Sequence, residues 1–182
     1  MKKLLLPIIA GAMITTASPV MNPQAEAATY SMTSAVSPAL TTSDISAMKK
    51  GTYAFKGVRL GTTFGSVQKL WGVSGSENVY RDADGTMVDW WYGKHDDITL
   101  SGYHSKRSAS VSGTKVSTID FTYDTKLPQL TSTLSKALGK PTYSETTEPG
   151  WISREYGRYI SMELVKENNK WYVFELTYGK HD

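Results

Sequence analysis

Cysteine is absent from all 182 residues of the sequence. A disulfide framework, a thiol nucleophile and a cysteine-ligated zinc site are therefore excluded. The fold must then be held together by its hydrophobic core. A domain of this size can bury about two-thirds of its unfolded surface, so it needs no covalent cross-link.

Long apolar runs are also missing beyond the N-terminus, and no later stretch approaches the ~20 apolar residues of a membrane span. The chain starts with two lysines, Lys2 and Lys3, continues with the apolar residues 4–17, and reaches the small residues Ala25 and Ala27. This order is typical of a secretory signal peptide that is cleaved after Ala27. We expect residues 1–27 to be removed and the bacterial protein to be secreted, either extracellular or loosely associated with the cell wall.

A strong net charge is lacking as well, because the sequence has 20 lysines and arginines and 17 acidic residues. These charges are scattered along the chain, which argues against a nucleic-acid partner. The three histidines, His95, His104 and His181, have no spacing that would converge on a metal. Neither a serine nucleophile elbow nor a glycine-rich phosphate loop is present. The sequence therefore predicts a non-enzymatic protein without cofactor, metal or catalytic residues.

Residues 28–42 are rich in Ser, Thr and Ala and show little periodicity, which predicts a flexible leader. Residues 43–50 then fit one short helix, with Ser43 as its N-cap and Gly51 after its end. We expect residues 43–182 to form a single domain, and we expect a monomer.

Two helical patterns of that domain end in the same way. The first has the apolar residues Phe64, Val67, Leu70 and Trp71, with Thr62 or Thr63 as N-cap and Gly72 after its end. The second has Leu127, Leu130, Leu134, Ala137 and Leu138, with Asp124 or Thr125 as N-cap, Gly139 after its end and then Pro141.

Four β-patterned segments follow each helix in the same order. In the first half they are residues 77–81, 87–92, 98–104 and 116–123, and in the second half 142–146, 151–156, 159–166 and 171–178. A turn dipeptide separates the first two segments each time, Asp84-Gly85 in one half and Pro149-Gly150 in the other. The chain therefore predicts an α+β fold in which a helix plus a four-stranded antiparallel meander is used twice, over about 43–123 and 124–182.

Alternation assigns the strand residues to two faces. One face is expected to pack against the helices and includes Trp90, Ile152 and Phe174. The other is expected to be exposed and includes Trp91, Val173 and most of the polar strand residues. No element is left to cover this second face, which carries aromatic rings and carboxylates.

The stretch from Phe55 to Gly72 reads FKGVRLGTTFGSVQKLWG. It resembles the opening of the β-lactamase-inhibitor-protein-like fold, a glycine, a small residue and threonine before a helix that ends in Leu-Gly-Pro. The small outer-membrane assembly lipoprotein modules share this opening. The resemblance covers roughly residues 43–182 and implies two tandem units that form one concave eight-stranded sheet, with the helices on its convex face. It further implies a module that binds another protein on the concave face.

Two functions remain open from the sequence. The first is a secreted protein-binding module, with or without inhibition of its partner. Its aromatic and acidic site is made of Trp91, Tyr103, Asp120, Trp151, Tyr159, Glu163, Trp171 and Glu175. The second is a cell-envelope module that binds wall polymer through aromatic stacking and through the cations Lys106, Arg107 and Lys115.

Overall fold

The computed structural model describes residue 32 and residues 37–93, 95, 97–123 and 127–180. The expected signal peptide, the alternative caps Asp124 and Thr125, and His181 lie outside the described residues. In chain order the elements are α1 (Thr42–Lys49), β1 (Ala54–Phe55), β2 (Val58–Arg59), α2 (Phe64–Trp71), β3 (Ser76–Arg81), β4 (Thr86–Tyr92), β5 (Ile98–His104), a 3-10 turn (Val111–Gly113), β6 (Val116–Thr122), α3 (Ser132–Leu138), β7 (Tyr143–Glu148), β8 (Trp151–Tyr156), β9 (Ile160–Glu167) and β10 (Lys170–Gly179).

Eight of these strands form one antiparallel sheet in the order β3-β4-β5-β6-β10-β9-β8-β7. The fold is therefore α+β, as predicted, and each of the eight predicted strands is confirmed to within one or two residues. The short β1–β2 hairpin is a separate sheet that the sequence did not predict. Strands β6 and β10 pair at the centre, and β3 and β7 lie at the two edges.

Helix α2 has the predicted residues at both ends. The hydroxyl of Thr63 accepts a hydrogen bond from the N–H of Ser66, and α2 ends at Gly72, whose φ of 83° suits glycine. The predicted N-cap of α1 is wrong, because Thr41 rather than Ser43 caps this helix. Thr41 and Asp44 form a reciprocal capping box, which satisfies two backbone N–H groups at once.

Helix α3 begins later than its apolar pattern predicted. Thr131 caps it through the N–H of Leu134, and residues 127–130 are not helical. Instead, the N–H of Val173 donates to the Pro128 carbonyl, and the N–H of Leu130 donates to the Trp171 carbonyl. Proline disfavours a helical residue before it and cannot donate a backbone hydrogen bond, so this segment runs extended beside β10.

The segment before α1 contacts the domain where the structure describes it. Met32 is buried, and its carbonyl accepts the N–H of Gly93. The hydroxyl of Ser37 donates to the carbonyl of Thr122 at 2.7 Å, and Tyr123 donates its hydroxyl to the Pro38 carbonyl. The described residues of the predicted leader therefore contact the domain through polar groups and one apolar side chain.

The core lies on one side of the sheet, which we call the inner face. Buried strand residues on this face pack with apolar residues of all three helices and of the β1–β2 hairpin. Aromatic rings meet edge to face across these layers, for example Phe64 with Trp90 at 4.8 Å and Trp71 with Tyr92 at 5.1 Å between ring centres. The inward assignment of Trp90 is confirmed, whereas Ile152 is only half-buried.

Gly102 lets α2 approach the sheet closely. A Cβ at this position would lie 2.5 Å from the Lys115 carbonyl oxygen and 2.6 Å from a ring carbon of Phe64. We expect Gly102→Ala to lower the free energy of unfolding by about 1–3 kcal/mol, as overpacking does. Urea denaturation measures the loss, with Gly75→Ala as control, because a Cβ there makes only an ordinary 3.5 Å contact. Equal stability of the two variants would contradict this packing.

Candidate functional site

The candidate site is the opposite side of the sheet, which we call the outer face. Residues that pair directly across antiparallel strands point to the same face, so the strand register defines its rows. One row crosses all eight strands and consists of Ser76, Trp91, Thr99, Asp120, Thr177, Ser161, Glu155 and Tyr143. This face is half-buried or exposed along its length, and its side chains form a continuous surface.

Carboxylates occupy the centre of the outer face. Glu175 lies directly opposite Glu163 on β9 and opposite Thr122 on β6. Asp120 lies on the neighbouring row and accepts a hydrogen bond from the Thr118 hydroxyl at 3.3 Å. Burial raises the pKa of Glu175, and the negative charges of Asp120 and Glu163 raise it further, against a lowering hydrogen bond from Thr177. The negative charge at the centre of the outer face therefore lowers the free energy of unfolding.

This cost predicts a stabilising substitution. Because the folded-state pKa of Glu175 is raised, ionisation of this carboxyl removes stability as the pH rises through that pKa. We expect Glu175→Gln to increase the urea midpoint at about pH 7 and to give no increase at about pH 3, where a free Glu with its pKa of about 4.3 is already protonated. Glu77→Gln, at an exposed position of edge strand β3, is the control. A gain of equal size at both pH values would contradict the electrostatic cause.

Negative charge extends over the whole outer face. Between the strand ends, all charged outer-face residues of the described strands are acidic, namely Asp89, Asp120, Glu145, Glu155, Glu163 and Glu175. The cation Lys170 lies only at the tip of the β9–β10 hairpin, opposite Glu167. The surface therefore has one sign of charge, although the chain as a whole carries a formal charge of +3.

Apolar side chains lie on both halves of this face. On the first half, Tyr80, Met87 and Tyr103 pair across β3, β4 and β5 and are 55%, 43% and 54% exposed. The Tyr103 hydroxyl donates to the Asp84 carbonyl, which holds its ring over the sheet. On the second half, Trp151 packs edge to face on Phe174, with 5.1 Å between ring centres. Both clusters flank the central carboxylates.

Trp171 does not lie on the outer face, contrary to the prediction. The register between β9 and β10 shifts between Val173 and Glu175, so Phe174 is an extra residue in the strand. Val173 pairs with buried Leu164 and is itself fully buried, and Trp171 shares its face. The bulge therefore turns Trp171 and Val173 inward, and it places Phe174 against outer-face Trp151 rather than in the core.

Tyr159 is the second site residue that the structure separates from the others. Its ring lies 6.3 Å from that of buried Tyr178, and it lies so close to Gly51 that a Cβ there would touch it. Gly51 follows α1, so Tyr159 belongs to the core side. It precedes the first residue of β9, where strand alternation no longer determines the direction of a side chain.

The structure thus brings together six of the eight predicted residues, Trp91, Tyr103, Asp120, Trp151, Glu163 and Glu175. The predicted site did not include Tyr80, Met87 and Phe174, although alternation placed Met87 on the exposed face. The alternation of Asn78 and Tyr80 on β3 contained the signal for Tyr80, because these residues follow the same period as their neighbours on β4.

The described residues contain no group of three or more His, Asp or Glu side chains that could hold a metal ion. None of the described helices is long and apolar enough to cross a membrane. In comparisons with known proteins, no family model, no curated protein and no solved structure matches this chain.

Proposed function

We propose that this protein is a secreted binding module that docks a protein partner with a basic surface on its outer face. The observation that carries the proposal is the charge of that face, which is acidic across both halves of the sheet and is flanked by exposed aromatic side chains. Such a surface complements lysines and arginines of a partner, which favours encounter and selects against acidic proteins.

The apolar clusters supply the affinity in this proposal. Exposed apolar area ringed by polar groups marks interaction surfaces, and tyrosine and tryptophan dominate the binding energy of many interfaces. Tyr103 and Met87 offer such an anchor on the first half, and Trp151 with Phe174 offers one on the second. The carboxylates between them would orient the partner.

The finer architecture belongs to the same proposal. The strand order keeps β3–β6 together on one side and β7–β10 on the other, which supports two tandem helix-plus-meander units. In the inferred arrangement, as in the β-lactamase-inhibitor-protein-like fold that the sequence resembles, the sheet is concave on its outer face and the helices lie on the convex face. The partner would then be held within the curve of the sheet.

Site-specific photocrosslinking in the natural culture tests the proposal. A photoreactive phenylalanine analogue at Tyr103 should give one protein adduct. The yield of this adduct should fall at high salt, because salt screens the exposed charge pairs that favour the complex. The matched control carries the analogue at Lys136, an exposed position of α3 on the other side of the sheet. An adduct that forms equally from both positions, or only from position 136, would contradict the proposal.

A further inference from the structure

A second cluster lies on the inner face, on the neighbouring strands β8, β9 and β10. Here the guanidinium carbon of Arg154 lies 6.0 Å from the ring centre of Trp171, and the ammonium nitrogen of Lys166 lies 5.8 Å from the same centre. Trp171 reaches this side because of the bulge at Phe174. Two cations are therefore gathered at one indole ring.

The edge around this cluster is open. All residues of β7 are exposed, and Ser144 and Thr146 pair with Arg154 and Ile152, so their hydroxyls lie on the same face. Lys166 is exposed, whereas Trp171 and Arg154 are half-buried. A ligand can thus reach Lys166 from solvent, and the Ser144 hydroxyl lies on the same face, on the strand beside Arg154.

Among the described residues, the two cations of the cluster have no acidic partner. The Nε atom of Arg154 is buried and donates no hydrogen bond, although guanidinium N–H groups are strong donors. Within the part of the chain that the structure describes, neither Arg154 nor Lys166 forms an ion pair. An oxyanion bound at this ring would supply the negative charge that both cations lack.

We propose that Arg154, Lys166 and Trp171 form a binding site for a phosphate group. Arg154 recognises phosphate oxygens through its planar fork, Lys166 adds a point charge, and Trp171 holds both cations in place. The site lies on the opposite side of the sheet from the docking face and does not depend on the proposed protein partner.

Titration with inorganic phosphate, followed by the indole N–H resonance of Trp171, tests this site. The resonance is assigned by its absence in Trp171→Phe. We expect a saturable shift with phosphate and none with chloride at equal ionic strength. Removing either cation, in Arg154→Gln or Lys166→Gln, should weaken phosphate binding about tenfold or more, as expected for the loss of a charge-assisted contact.

Matched controls distinguish the site from general surface charge. Lys170→Gln removes an exposed lysine of the same hairpin on the other face, and Arg158→Gln removes an exposed arginine after β8, so both should bind phosphate as the parent does. Should Arg154→Gln fail to fold, Lys166→Gln makes the same test at an exposed position. No saturable shift, or equal weakening by Lys170→Gln and Lys166→Gln, would overturn the proposal.

The source of the phosphate group is a separate arm of the experiment. Polyphosphate chains and phosphatidylglycerol vesicles are titrated beside inorganic phosphate. If polyphosphate binds more tightly than inorganic phosphate and does so through Lys166, the natural ligand is a phosphate-bearing polymer. If the vesicles bind more tightly than inorganic phosphate, it is a lipid headgroup. Failure of all three probes would overturn the proposal while leaving the outer-face docking proposal untouched.

Discussion

Trp90→Ala should lower the free energy of unfolding by about 3–5 kcal/mol, the range for deleting a buried tryptophan. Trp90 is 5% exposed, and its ring lies 4.8 Å from that of Phe64 on α2 and 6.5 Å from that of Tyr92. The deletion would leave a cavity at the contact between α2 and β4, which rigid neighbouring rings can fill only in part. Urea denaturation with a fitted slope measures the loss.

The neighbouring tryptophan is the matched control for this experiment. Trp91 points to the outer face and is half-buried, so Trp91→Ala should cost about 1 kcal/mol or less. Trp90→Phe keeps an aromatic ring and removes an indole N–H that is buried without a partner. It should therefore lower the free energy of unfolding less than Trp90→Ala does. Equal losses for the two alanine variants would show that the strand register is wrong.

Tyr103→Ala should weaken binding of the crosslinked partner by about 2 kcal/mol or more, which is about 30-fold in Kd. Tyr103 is 54% exposed and pairs with Met87, so its ring offers apolar area that a partner can cover. Its loss should leave the melting curve nearly unchanged, because the ring makes no contact with the core. Titration calorimetry of the purified partner with each variant measures the effect.

Tyr143→Ala tests whether an exposed tyrosine at the rim of the outer face contributes as much to binding affinity as Tyr103 does. This tyrosine is 47% exposed, but it lies on edge strand β7 at the end of the row that contains Asp120. Contacts at the rim of an interface remain wet and contribute little energy, so we expect a much smaller loss of affinity. Unchanged affinity in Tyr103→Ala, or a larger loss in Tyr143→Ala, would exclude the first half of the outer face as the anchor.

Alternation predicted the faces correctly wherever the strands are regular. Val88, Trp90 and Tyr92 alternate without interruption on β4, and each is buried as expected. Helix ends were predictable where a threonine and a glycine bracket an apolar stripe, as around α2. In these segments local chemistry and tertiary packing favour the same conformation.

The predictions from sequence are wrong where a single residue interrupts the regular alternation of a strand or the regular turn of a helix. The bulge at Phe174 adds a residue to β10, and nothing in the local residue types distinguishes it from a regular strand. Because the side-chain period of a strand is two, this one insertion reversed the predicted direction of Trp171. Leu127 and Leu130 likewise fit a helical stripe, but Pro128 and pairing with β10 keep them extended.

The central position of β10 has a consequence for how the chain folds. β10 follows the other seven described strands of the sheet in chain order, yet it lies between β6 and β9 and joins the two halves of the sheet. Until β10 has been synthesised, β6 and β9 each lack a partner on one edge, so neither half can complete its hydrogen bonding. The pairing of β6 with β10 joins residues far apart in the chain, and such long-range pairing slows folding.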